Sequence, residues 1–138
     1  MIEEYSVGNI VRVKIGVGYN NLVKFKTVGI QGINGYKGTI DIYNEYMPDN
    51  TETINFDDVY PVTLHGDLLV ECGWTQRNAS QYTISSQLGM ITWNGENKSL
   101  YIDNILFPNP VCNVHQMQNL FRIMGLDDLA HEFNNEIL

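Results

Sequence analysis

Thiols and cations are scarce in this chain. Its 138 residues hold two cysteines, and eight lysines plus arginines face sixteen acids. Cys72 and Cys112 are too few for the disulfide framework on which small secreted scaffolds depend. The formal charge of −8 repels a polyanion at long range, so nucleic acid is not an expected partner. No stretch approaches the roughly 20 continuous apolar residues that span a bilayer, and no membrane association is expected. The opening MIEEYSVGN is acidic and lacks an apolar leader core, which argues for the cytoplasm over secretion. Phosphate loops are missing too. GVG (residues 16–18) and GINGYKG (32–38) lack the strand–loop–helix setting and the Lys-Ser/Thr ending that cradle a phosphate. There is no Gly-x-Ser-x-Gly elbow, and no serine, histidine and acid stand in a readable triad order. The chain reads as a non-enzyme.

What is present suffices for one ordinary domain or two very small units sharing a core, since 43% of the residues are apolar. Charge is unevenly distributed. Residues 1–40 carry five bases against two acids, and residues 41–138 carry three bases against fourteen acids.

The first part is strand-like. IVRVKI sets Ile10, Arg12 and Lys14 against Val11, Val13 and Ile15, a period of two with one wet and one dry face. Turn residues follow in GVGYNN, and LVKFKTVGI resumes the alternation, Lys24 and Lys26 against Val23 and Phe25. Gly29, Gly32, Gly35 and Gly38 mark bulges and tight turns. GTIDIYN and TETINF follow, with Pro48-Asp49-Asn50 as a turn between them. The reading is a small, bent, antiparallel β-barrel-like sheet, SH3-like in size, over residues 1–62.

Residues 63–138 read as an α+β unit sharing that core. LHGDLLVECG suggests a short helix stopped at Gly73, with Leu64, Leu68 and Leu69 on one side. SQYTIS, GMITWN and SLYIDNILF are strands of a small antiparallel sheet, with Asn94-Gly95 as a hairpin signal. Pro108 and Pro110 end it. Two C-terminal helices complete the α+β fold. The first is capped by Asn113 with Gln116 three positions on, presents Val114, Met117, Leu120, Phe121 and Met124 on one face, and stops at Gly125. The second, LDDLAHEFNNEIL, places Asp127 and Asp128 at its positive end and Leu126, Leu129, Ala130 and Phe133 on its dry side.

Two stretches carry a resemblance. FDDVYPVTLHGDLLVECGW (residues 56–74) resembles a Tyr/Phe-Asp-Asp, Pro-Ile-x-Leu-Thr, Leu-rich helix, Gly-Phe segment. VHQMQNLFRIMGLDDL (114–129) is similar to the closing Val-His-Gln-Leu-Gln-Asn-Leu signature of the same small proteins, a family of uncharacterised function in phages and prophages of Bacteroidetes. The match spans about the second half of the chain. It implies a common fold and a bacteriophage or prophage origin, hence residence in the bacterial host cytoplasm, and transfers no activity. The family's capping threonine is His65 here, and the acidic pair after it is Gly66-Asp67. A glycine in the first helical turn weakens that helix by about 1 kcal/mol relative to alanine.

Two sets of candidate binding residues stand out. His115, Gln118, Asn119 and Arg122 share one helical face. That face is either a recognition surface or a polar fastening of the helix onto its neighbours, and fastening is the simpler reading. Arg12 and Lys14 project from one face of the first strand and Lys24 and Lys26 from one face of the next, so the four cations share one surface if those strands pair. The plainer alternative is a solvated strand face whose lysines deter edge pairing. Cys112-x-x-His115 with His65 and Cys72 has the residue types of a zinc shell, but the His65–Cys72 spacing across a helix suits it badly, so neither metal nor cofactor is expected.

The expected role is a phage- or prophage-derived protein that binds a host or phage protein. Its acidic surface would suit a basic host protein, such as a nucleic-acid-binding defence component. A sponge for a small ligand or nucleotide, with Arg12, Tyr19 and Tyr36 about a pocket at a subunit interface, and a structural component of the virion are the alternatives; oligomeric state is left open.

Overall fold

The alternation in IVRVKI produces β1 (Ile10–Val17), and that in the following segment β2 (Val23–Asn34). The computed structural model describes residues 5–17, 22–44 and 50–138. Tyr19 and the Pro48-Asp49 part of the expected turn lie outside them. β3 (Thr39–Tyr43), β4 (Thr51–Asn55) and β5 (Val59–Pro61) complete an antiparallel sheet ordered β4-β3-β2-β1-β5. A 3-10 turn over Phe56–Asp58 joins the last two. Gly29 and Gly32 lie inside the twelve-residue β2, and a bulge between Ile30 and Gly32 bends it. A second irregularity falls between Lys14 and Gly16 of β1.

The second half begins with α1 (Gly66–Glu71). A second antiparallel sheet follows, ordered β10-β9-β8-β7-β6, from β6 (Thr75–Gln76), β7 (Gln81–Ser86), β8 (Gly89–Asn94), β9 (Leu100–Ile102) and β10 (Ile105–Leu106). α2 (Val114–Ile123) and α3 (Asp127–Ile137) close the chain. The fold is α+β, two antiparallel sheets with three helices among the described residues.

Local chemistry explains the helix ends. Asn113 and Gln116 form the capping box of α2, the Gln116 Oε1 accepting from the Asn113 amide at 3.0 Å and from the Cys112 amide at 2.9 Å. Gly125 takes φ +76° after α2, and Gly73 takes +95° after α1, the left-handed stop that favours glycine. His65 caps α1 itself, its Nδ1 accepting from the Leu68 amide at 3.3 Å. The glycine beside it has a packing reason. A methyl group at Gly66 would overlap the Tyr82 phenol ring.

Two expected strand features change. SLYIDNILF is two short strands, because Asp103 turns left-handed at φ 51° and folds Ile105 back beside Ile102. Asn94-Gly95 opens a wider loop in place of a two-residue hairpin. There Lys98, at φ 64°, carries the left-handed residue, and the Asn94 Oδ1 accepts from the Glu96 amide at 2.8 Å.

Buried apolar side chains gather in two clusters. One, within the first sheet, holds Val11, Val13, Val28, Ile30, Ile40, Ile42 and Val59. The other lies between the second sheet and the helices, around Trp93, Phe121, Phe133, Leu64, Leu69 and Met117. Alternation along β1 sends Ile10 into the second cluster and its neighbours Val11 and Val13 into the first. A single strand thus reaches both. At roughly 25 cal/mol per Å² of apolar surface, each fully buried large side chain of these clusters contributes about 1.5–3 kcal/mol.

Candidate functional site

The polar face of α2 meets the chain's own backbone. Gln118 is fully buried. Its Oε1 accepts from the Ile10 amide at 3.0 Å, and its Nε2 donates to the Ala130 carbonyl at 3.3 Å and to Asn134 Oδ1 at 3.0 Å. One side chain therefore ties β1, α2 and α3 together. At the next residue, Asn119 Oδ1 accepts from Asn9 Nδ2 at 2.8 Å, and Asn9 is itself buried, its Oδ1 accepting from the Ser6 amide. Arg122 Nη2 and Asn134 Nδ2 both donate to the Gly8 carbonyl, at 3.2 and 3.3 Å. His115 is buried at 1% exposure beneath Tyr5, the two rings 4.5 Å apart and tilted by 52°. All four residues come together on one face, and that face clasps the segment Tyr5–Ile10. The hydrogen bonds of Gln118, Asn119 and Arg122 Nη2 fix one arrangement of helix against strand.

The four strand cations do not share a surface. The β1–β2 register sets Arg12 opposite Thr27 and Lys14 opposite Phe25, whereas Lys26 faces Val13 and Lys24 faces Gly16. Directly opposed residues point to the same side of a sheet, so Arg12 and Lys14 share one side and Lys24 and Lys26 the other. The expectation of a single cationic patch is thereby corrected. In its place stands a smaller exposed group. Arg12 lies over the Phe25 ring at 4.4 Å, a cation–π distance, and Tyr60 of β5 pairs with Arg12 across the sheet. The Tyr60 ring meets Phe25 edge-on at 5.2 Å.

Within one chain Arg12 and Tyr36 lie apart. Arg12 pairs with Thr27, and β2 runs seven residues further before the turn that holds the fully exposed Tyr36. A surface hollow of about 540 Å³ lies elsewhere, between the end of β7 with its turn (Ser85, Ser86, Gln87) and the start of α3 (Gly125 to Leu129). It is broad, and the acids Asp127 and Asp128 are its charged lining.

The thiols and imidazoles are dispersed in environment. Cys72 is buried and Cys112 exposed. Burial pushes the Cys72 thiol up to about 12, and the charges of Glu136, Glu132 and Glu71 add to the effect. A thiol held protonated at neutral pH is neither a nucleophile nor a ready metal ligand. Among the described residues no group of three or more His, Cys, Asp or Glu side chains is placed to hold a metal ion. No helix there is long and apolar enough to cross a membrane.

Three partners in the α2 fastening, Gly8, Asn9 and Asn134, carry no local sequence signal. Their role depends on chain segments more than a hundred residues apart meeting in space. No family model, curated protein or solved structure matches the chain.

Proposed function

We propose that this chain is a non-enzymatic phage or prophage protein that acts in the host cytoplasm by binding a basic host protein. One observation carries the reading: among the described residues, the bases of the 41–138 region do not pair with its acids. The three bases of that region each bond to a neutral group. Arg77 Nε donates to Thr83 Oγ1, Lys98 Nζ to the Gly95 carbonyl while lying over Trp93, and Arg122 to the Gly8 carbonyl. Fourteen acids then set the field of this region, which attracts cations and repels nucleic acid. The charges of Glu71, Glu132 and Glu136 all act on Cys72, so part of this field converges there. The internal hydrogen bonds of Gln118, Asn119 and Arg122 on the α2 polar face support a reading without a reactive site there.

The first sheet supports a finer reading as an SH3-like bent sheet. Its order β4-β3-β2-β1-β5, with a 3-10 turn before the last strand returns beside the first, fits that description. A second contact face is favoured by a separate observation. Phe25 and Tyr60 remain 38% and 40% exposed about Arg12, and exposed aromatics beside an arginine are common anchors of protein contacts.

Capture from a Bacteroidetes host lysate on the immobilised chain tests both. The expected result is a stoichiometric basic partner that is lost at high salt and lost when Glu71, Glu132 and Glu136 become glutamine. Loss instead with the Arg12→Glu, Phe25→Ala pair moves the contact to the aromatic face. Recovery of no stoichiometric partner contradicts the reading.

A further inference from the structure

The sequence contains the dipeptide Asn-Gly twice, at 34–35 and at 94–95. The same dipeptide therefore sits in two different surroundings, which isolates the effect of the fold. Asn-Gly is chemically labile because glycine lacks the side chain that would keep its backbone nitrogen away from the asparagine amide carbon. Whether the reaction proceeds in a folded chain depends on two things: the freedom of the glycine N–H and the room to close a five-membered ring.

At 94–95 both are denied. The Gly95 N–H donates to the Ser80 carbonyl at 2.6 Å, so the attacking nitrogen is already engaged. The glycine is also enclosed, with the Ser80 carbonyl and the Trp93 ring 3.5 Å from where a Cβ would stand and the Tyr82 ring at 3.7 Å. Asn94 itself is pinned, its Oδ1 accepting from the Glu96 amide at 2.8 Å and more distantly from the Asn97 amide at 3.4 Å.

At 34–35 neither restraint applies. Asn34 ends β2 and Gly35 opens the turn to β3, and both are exposed. No atom lies within 4 Å of where a Gly35 Cβ would stand. Among the described residues the Gly35 N–H meets no acceptor in the turn. Asn34 Oδ1 accepts from the Lys37 amide at 3.0 Å, much as Asn94 Oδ1 accepts from the Glu96 amide, so the contrast between the two sites rests on the glycine N–H and on the space around it.

We propose that Asn34 is a site of spontaneous deamidation and isomerisation in the folded protein, and that the fold holds Asn94 inert. The Gly35 nitrogen loses its proton to water and forms a bond to Asn34 Cγ. The Cγ–Nδ2 bond then breaks, and Nδ2 leaves as ammonia after taking up a proton. The resulting succinimide is opened by one water molecule at either carbonyl, giving aspartate or isoaspartate. The net change consumes one water and releases one ammonia, with no oxidant or reductant. The product adds a negative charge three residues from Lys37, in the part of the chain where cations are in surplus. Isoaspartate also inserts a methylene into the backbone where Asn34 pairs with Thr39, so it loosens the mouth of the β2–β3 hairpin.

The test is to age the full-length chain at mildly alkaline pH, folded in one sample and unfolded in urea in another. Peptide mass spectrometry with isoaspartate-specific enzymatic methylation then follows both sites. In the folded sample residue 34 should convert at least about tenfold faster than residue 94, the factor expected if Asn94 must first break one hydrogen bond. In urea the two rates should converge. Equal rates in the folded chain, faster conversion at Asn94, or a difference that persists in urea would each overturn the proposal.

Discussion

The polar edge of α2 and the cationic row of β1 are written alike, as polar residues at regular steps among apolar ones, yet they end in opposite surroundings. Gln118 is fully buried and makes three hydrogen bonds to β1 and α3. Arg12 is exposed and lies on an exposed aromatic ring. What separates them is the packing on the far side. The α2 edge meets backbone groups that need partners, and the β1 row extends past the helices into solvent. Polarity in a sequence marks where hydrogen bonds are wanted, and only the tertiary arrangement decides whether protein or water supplies them.

The largest expected effect breaks the α2 side of this contrast. Gln118→Ala strands the Ile10 amide and Asn134 in a buried place, and chemical denaturation should show a loss of about 3 kcal/mol. A loss below about 0.5 kcal/mol would mean that the face is not part of the packing. A pair of glycines sharpens the comparison between the packed half and the open one. Gly66→Ala meets the Tyr82 ring and should cost about 2 kcal/mol despite alanine's better helix propensity. Gly35→Ala meets nothing and should change stability by less than about 0.5 kcal/mol. Thermal unfolding of both variants reads the difference.

Cys72 gives a pH-dependent effect of intermediate size. Its folded pKa, about 12, lies above the ordinary 9.0, so its contribution is complete below pH 9.0 and is lost as the pH rises toward 12. Cys72→Ala should flatten that alkaline decline, and at neutral pH a thiol reagent should label Cys112 in the folded chain while sparing Cys72. Arg12→Ala should have only a small effect on stability. It removes an exposed cation–π contact worth about 0.5–1 kcal/mol and should leave the unfolding midpoint nearly in place.

Much of this was legible in the residues, and the misses have a common cause. The alternation of β1 and β2, the Asn113–Gln116 box and the stops at Gly73 and Gly125 are local, set by side-chain period and backbone sterics. Register is not local. Lys24 and Lys26 alternate as regularly as Arg12 and Lys14, and only the pairing of Val13 with Lys26 reveals that the two pairs point apart. The left-handed position at Lys98 escaped for a related reason, because loop closure placed it on a residue that does not advertise such backbone, whereas Asp103 is of a type that tolerates it. Gly66 looked like a weak spot in a helix and is a point of contact with Tyr82 from another element. At the α2 face the sequence supplied the four polar residues, and their partners at Gly8, Asn9 and Asn134 came from the fold.

The most direct test of the α2 edge as an internal fastening is amide hydrogen exchange at Ile10, whose N–H ends on Gln118 Oε1. In the wild-type chain that amide should exchange as slowly as those of Val11 and Val13, and Gln118→Leu should accelerate it selectively, leaving those two slow. Rapid exchange at Ile10 in the wild type, or no response to the substitution, would contradict the account.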